Sequence, residues 1–241
     1  QALTSCCLLH NPLGEGVKEI IKVFEQTPRL RTLCGFEEGI EKIDWSNSGK
    51  GVVDVALLSA DLAAGRATAS IVEIDLSGQP LTGATHDITI GALWEKIDSQ
   101  MDGFVALCSV LDKVQKISLA DCHLGPASAA ELGRAISDAN GSVVTINCLA
   151  NNFGEDGLST LLAAIKGTSV RSLCGLTEGQ TVADFSGQNL RPIDCKIMAA
   201  EFAFQGFIAS LTKVIITGAE ISEPDVETVR AAAPNGCEVV W

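Results

Sequence analysis

The chain has 241 residues, of which 46% are apolar and 20% charged, with a formal net charge of −13. The apolar content is ample for a core. The negative charge disfavours phosphate backbones and anionic lipid surfaces, so the expected partner is a protein with a basic surface, with no nucleic acid and no membrane insertion.

In chain order, the first unit is Leu3, Cys6, Leu8, Asn11, Leu13, Gly14, followed by Val17, Ile20, Ile21 and Phe24 at helical spacing. A short unit starts at Leu30, with Leu33 and Gly35, and only ten residues later another starts at Ile40, with Ile43 and Trp45 inward. Ten residues cannot hold a strand, a turn and a helix, so residues 36–39 are predicted to make a tight return. A helix is predicted over Val52–Ala64, with Val53, Leu57, Leu58 and Leu62 as its buried stripe. Ile71, Ile74, Leu76, Gln79 and Leu81 form the next unit. The strand after it begins at Val114, 43 residues after Ile71, which points to an insertion at about 82–103 carrying His86, Trp94 and Met101. Phe104, Leu107, Cys108 and Leu111 then complete the helix of that unit.

Residues 114–154 contain one pattern twice: Val114, Ile117, Leu119, Cys122, Leu124, Gly125, and then Val143, Ile146, Cys148, Asn151, Phe153, Gly154. Both read LxxLxLxx(N/C)xLG and run into a helical segment. The apolar residues point inward and those between them alternate outward along a strand of period two. The pattern resembles the leucine-rich repeat, in its longer ribonuclease-inhibitor-like sub-type, over nearly the whole chain. The resemblance implies an α/β fold. It would be a leucine-rich-repeat solenoid, a horseshoe segment with a parallel concave sheet and helices on the convex side, forming a single domain over 1–241.

After these repeats come Val170, Leu173, Gly175, then Gln180, Ala183, Phe185, Gln188, Leu190, then Leu211, Val214, Ile216, Ala219, Ile221. Unit lengths of 27, 10 and 31 residues therefore occur twice in the same order, and a shift of 140 aligns RTLCGFEEGIEKIDWSNSG with RSLCGLTEGQTVADFSGQN without a gap. Pro224 suits the first turn of a last helix, and 238–241 a final strand whose Trp241 caps the core. Solenoid ends need covering. Residue 1 lies two positions before a repeat, so further chain or a packed neighbour is expected there.

Stacking places outward strand residues in ladders, with Lys42 beside Glu73 and Asp44 beside Asp75. The first pair attracts. The second repels unless a cation or a basic partner residue lies between them. The candidate partner-binding residues on the concave face are Lys42, Asp44, Glu73, Asp75, Lys116, Asn147, Asp184 and Lys213, and on the insertion Leu93, Trp94 and Ile97, with Trp94 as a hydrophobic anchor.

Chemistry is sparse elsewhere. No apolar run is long enough to span a bilayer, and no signal peptide is evident. The nine cysteines fall largely at small apolar repeat positions and read as reduced, which fits the cytoplasm or another reducing compartment. No CxxC pair or His/Cys cluster has zinc spacing, so no metal or cofactor is expected. His123 follows Cys122 on a turn where adjacent side chains diverge, so no thiol dyad is predicted. Residues 49–51, Gly-Lys-Gly, lack the spacing of a phosphate loop. Residues 140–142, Asn-Gly-Ser, suit a turn with positive φ. The expected function is a non-enzymatic protein-interaction scaffold, a subunit or segment of a larger assembly. The alternative is a regulator of a small GTPase, because the Ran GTPase-activating proteins are similar in repeat type.

Overall fold

The structure is a computed structural model and describes residues 3–87, 93–139, 141–203, 208–217 and 220–241. Most repeats become a three-residue strand with its middle residue buried, then a turn, then a helix. Strands β1 (Lys42–Asp44) and β2 (Glu73–Asp75) belong to the first block. After the hairpin strands β3 (Thr85–Asp87) and β4 (Leu93–Glu95) come β5 (Lys116–Ser118) and β6 (Thr145–Asn147). The parallel sheet β1-β2-β5-β6 stacks Ile43, Ile74, Ile117 and Ile146 in one buried row. A second parallel sheet joins β7 (Val182–Asp184), β8 (Lys213–Ile215) and β9 (Glu238–Val240), with Ala183 and Val214 buried in the same way.

Among the described residues seven α-helices pack behind the strands. They are α1 (Gly16–Glu25), α2 (Val52–Ala64), α3 (Asp102–Cys108), α4 (Pro126–Asp138), α5 (Gly154–Ala164), α6 (Pro192–Ala203) and α7 (Glu223–Ala232). Small residues set the close approaches: a Cβ at Gly133 would lie 3.2 Å from Ala164, and one at Gly157 would lie 3.1 Å from Ala129, so α4 and α5 pack almost backbone to backbone. Between strands and helices runs an apolar core in which Leu57, Leu58, Leu76, Leu124, Leu132 and Leu161 are fully buried, each stabilising by about 1.5–3 kcal/mol on transfer from water.

The single concave sheet expected from the repeats is interrupted at each ten-residue unit. There the chain makes only isolated bridges, Cys7 with Cys34 in the first block, and Thr145 with Ser172 and Asn147 with Cys174 in the second. The physical reason lies in the main-chain donors. In a parallel stack a strand's N–H groups serve its two neighbours in turn, and those facing forward donate to the next strand, as Ile146 does to the Ser172 carbonyl at 2.9 Å and Cys148 to the Leu173 carbonyl at 2.9 Å. The N–H groups of Leu173 and Cys174 instead reach the Glu201 carboxylate of α6, both at 2.8 Å, so they take no partner from β7.

Several further expectations are corrected. Asp54 and Asp61 are buried on α2 alongside Val55, Leu57, Leu58 and Leu62, whereas Val53 is only half-buried. Leu3 is 65% exposed rather than inward. Trp241 follows β9 but is 50% exposed, so it does not cap the core. The tight return at 36–39 forms as predicted, with Gly35 and Gly39 at φ of 79° and 85°. Asn140 and Ala219 lie outside the described residues.

Candidate functional site

The outward residues of the four-stranded sheet meet in register, residue for residue. Lys42 lies opposite Glu73, which lies opposite Lys116, and Asp44 lies opposite Asp75, which lies opposite Ser118. The first row is an ion-pair chain: Lys42 Nζ is 2.9 Å from Glu73 Oε1, and Lys116 Nζ is 3.6 Å from Glu73 Oε2. Its hydrogen bond to Lys42 and the charge of Lys116 hold the Glu73 carboxyl below its ordinary pKa, and the same bond raises that of Lys42.

In the second row each aspartate turns onto its own following serine. Asp44 Oδ1 accepts from the Ser46 N–H at 3.1 Å and from its hydroxyl at 2.7 Å, and Asp75 Oδ1 accepts from the Ser77 N–H at 2.9 Å. Asp184 repeats the Asp44 geometry with Ser186 in the other sheet. The serine bonds lower the pKa of Asp44 and of Asp184. Asp-x-Ser at a strand end is thus a self-contained turn that keeps a negative charge on the surface.

A shallow cavity of about 170 Å³ opens on this face, lined by Glu73, Asp75, Lys116, Ser118, Asn147 and Gly175. It exists because Gly175, at φ of 79°, carries no side chain; a Cβ there would come within 3.0 Å of Asn147. Asp184 and Lys213 belong to the second sheet, where Lys213 Nζ pairs with Glu238 at 3.3 Å. The structure therefore brings together six of the eight predicted sheet residues and separates these two.

The insertion folds as an antiparallel hairpin with His86 opposite Trp94. One face of Trp94 stacks on His123 at a centroid distance of 3.4 Å and an interplanar angle of 21°, leaving the residue 37% exposed. Ile97 and Asp98 lie against Gly125, and Asp98 caps α4: its carboxylate accepts from the N–H groups of Gly125 (3.1 Å), Ala127 (2.9 Å) and Ser128 (3.1 Å), and from the Ser128 hydroxyl. The predicted anchor Trp94 is therefore partly spent on the solenoid itself. Leu93 belongs to β4, and its side chain lies outside the described residues.

Sequence reasoning missed a set of buried carboxylates. Asp61 accepts from the Thr32 hydroxyl at 2.6 Å and from the N–H groups of Leu33 and Cys34, and Glu201, 140 residues on, does the same for Ser172, Leu173 and Cys174. Asp54 likewise joins the N–H groups of His10 and Gly51, and Asp194 those of Ala150 and Arg191. Burial raises the pKa of Asp61 and of Glu201, and pushes that of Asp194 up to about 6. The available signal was two acids seven residues apart in each apolar helix, recurring at the 140-residue shift.

Catalytic geometry is absent from the Cys122–His123 pair. The Cys122 thiol donates to the Leu76 carbonyl and burial pushes its pKa up to about 12, while the His123 ring faces Trp94. Among the described residues no group of His, Cys, Asp and Glu is placed to hold a metal, and no helix is long and apolar enough to cross a membrane.

No protein-family model and no curated protein matches the chain. Among solved structures it is similar to the tropomodulin C-terminal domain of Caenorhabditis elegans, at 17% identity and a TM-score of 0.41 over 74% of this chain and 90% of that one. It is also similar to the leucine-rich-repeat-containing protein LegL7 from Legionella pneumophila, at 20% identity and a TM-score of 0.43 over 97% of this chain and 63% of that one. The α/β solenoid of parallel strands alternating with helices rests on the strand register and element order of the chain itself.

Proposed function

We propose that this chain is a non-enzymatic protein-binding scaffold, a single repeat domain of the ribonuclease-inhibitor-like sub-type with an insertion at 82–103, working as a subunit or segment of a larger assembly. The observation that carries this reading is the fixed polar surface on β1, β2, β5 and β6. Its charges are held in place by ion pairs and serine turns before any partner arrives, so binding costs little side-chain ordering. Asp44 and Asp75 side by side, each with one oxygen committed to its own turn, suit a basic side chain of a partner. Nine cysteines without a disulfide among them support a reducing compartment such as the cytoplasm.

The test is capture from a native extract with the wild-type chain, an Asp44→Lys/Asp75→Lys variant and a Trp94→Ala variant, followed by mass spectrometry. A discrete partner should be held by wild type and by Trp94→Ala and lost from the charge-reversed sheet. Retention by the sheet variant would sink the concave-face assignment, and loss only on Trp94→Ala would move the contact to the hairpin.

A further inference from the structure

Each ten-residue unit supplies chain to the strand side and no helix, so the helical layer lacks a helix at two places, between α1 and α2 and between α5 and α6. The first gap is filled from within. Arg66 donates through Nη1 to the carbonyls of Phe24 (3.0 Å), Thr27 (3.1 Å) and Leu30 (2.8 Å), through Nη2 to that of Glu25 (3.2 Å), and its guanidinium stacks on the Phe24 ring at 4.5 Å. The second gap is built without these parts. At the 140-residue shift Ala164 stands where Phe24 does, and no lysine or arginine occurs between Lys196 and Lys213.

What remains between α5 and α6 is a groove of about 740 Å³. Its floor is apolar, from Leu162, Ile165, Val170, Ala200 and Ala203, and two exposed cations, Lys166 and Arg171, border it. Among the described residues no carboxylate lines the groove and neither cation has an ion-pair partner; the Arg171 guanidinium makes a 3.4 Å bond to the Thr168 carbonyl. In the first block the corresponding Arg31 is paired with Glu38 at 2.8 Å. An apolar floor with unpaired positive charge, on a chain of net charge −13, is complementary to apolar side chains accompanied by carboxylates.

We propose that the α5–α6 groove docks an acidic amphipathic helix of a partner protein, seated where the repeat's own helix is missing. The helix lays its apolar stripe on Leu162, Ile165 and Ala200, and its carboxylates meet Lys166 and Arg171. This surface lies on the opposite side of the solenoid from the charged sheet, so the two contacts stand or fall separately.

The probe is a fluorescein-labelled helical peptide with leucine at every third or fourth position and glutamate between, compared with the same peptide carrying lysine for glutamate. Fluorescence anisotropy should show saturable binding of the glutamate peptide, at least about tenfold tighter than the lysine peptide. Lys166→Glu/Arg171→Glu, on the exposed rim where folding is not at stake, should weaken it about tenfold. Ala200→Trp should abolish it by filling the floor, and Asp44→Lys/Asp75→Lys should leave it unchanged. No saturation, equal binding of the two peptides, or undiminished binding to the Lys166→Glu/Arg171→Glu variant would each overturn the proposal. So would sedimentation showing that the groove is covered by a second copy of the chain, with self-association lost in Ala200→Trp.

Discussion

Asp194 is fully buried at the start of α6, and its carboxylate bridges the N–H groups of Ala150 and Arg191 across two repeats. Burial raises its folded pKa to about 6 from an ordinary 3.8, so between those pH values the folded state binds more protons than the unfolded one. Stability attributable to this group is therefore complete below pH 3.8 and is lost as pH rises through about 6. Urea unfolding of Asp194→Asn across that window should show a shallower decline with pH than wild type, by at most roughly 3 kcal/mol, and identical slopes would refute the assignment. Glu201 and Asp61 work through satisfaction of buried donors. Glu201→Ala or Asp61→Ala leaves these buried N–H groups without an acceptor, and should cost about 1–3 kcal/mol or more each in denaturant midpoint analysis. The long-range part of these roles could not be read from spacing alone, because those bonded atoms lie 27 to 44 residues apart in the chain.

At the scale of elements, the hairpin and α4 are one unit. Asp98 leaves the insertion and satisfies the first donors of a helix whose own preceding residue, Gly125, has no side chain to cap with. Asp98→Ala should cost about 0.5–2 kcal/mol and raise amide exchange selectively at Ala127 and Ser128; uniform loss of protection along the chain would argue against a local cap. The tight returns behave differently. Gly175→Ala would force a left-handed φ and a 3.0 Å contact with Asn147, and should destabilise by more than about 1 kcal/mol. The 43-residue interval marked the stretch that carries β3 and β4 as unlike a plain repeat, and the helix α2 was legible from its apolar spacing. That the insertion returns to cap the next repeat was not, since an aspartate's capping partner is set by what folds beside it.

Over the whole molecule each repeat touches mainly its neighbours, so the two blocks should respond independently. Asp54→Asn and Asp194→Asn, equivalent sites separated by 140 residues, should add to within about 0.3–0.5 kcal/mol in the double variant. A larger interaction energy would mean that the two sites are energetically coupled through the repeats between them.

The repeat pattern by itself determined the strand register, including Lys42 against Glu73 and Asp44 against Asp75, because a period-two strand leaves no other way to bury Ile43, Ile74, Ile117 and Ile146 together. It also exposed the 140-residue duplication, since side-chain identity survives in order along the chain. Only the tertiary structure decided that the sheet breaks at the LCG turns, that buried carboxylates take over the donors freed there, and that one helical gap is closed by Arg66 while a groove lies at the other. These outcomes depend on which side chain reaches an unpaired N–H or an empty volume, and that is settled by distance in space rather than by position in the repeat.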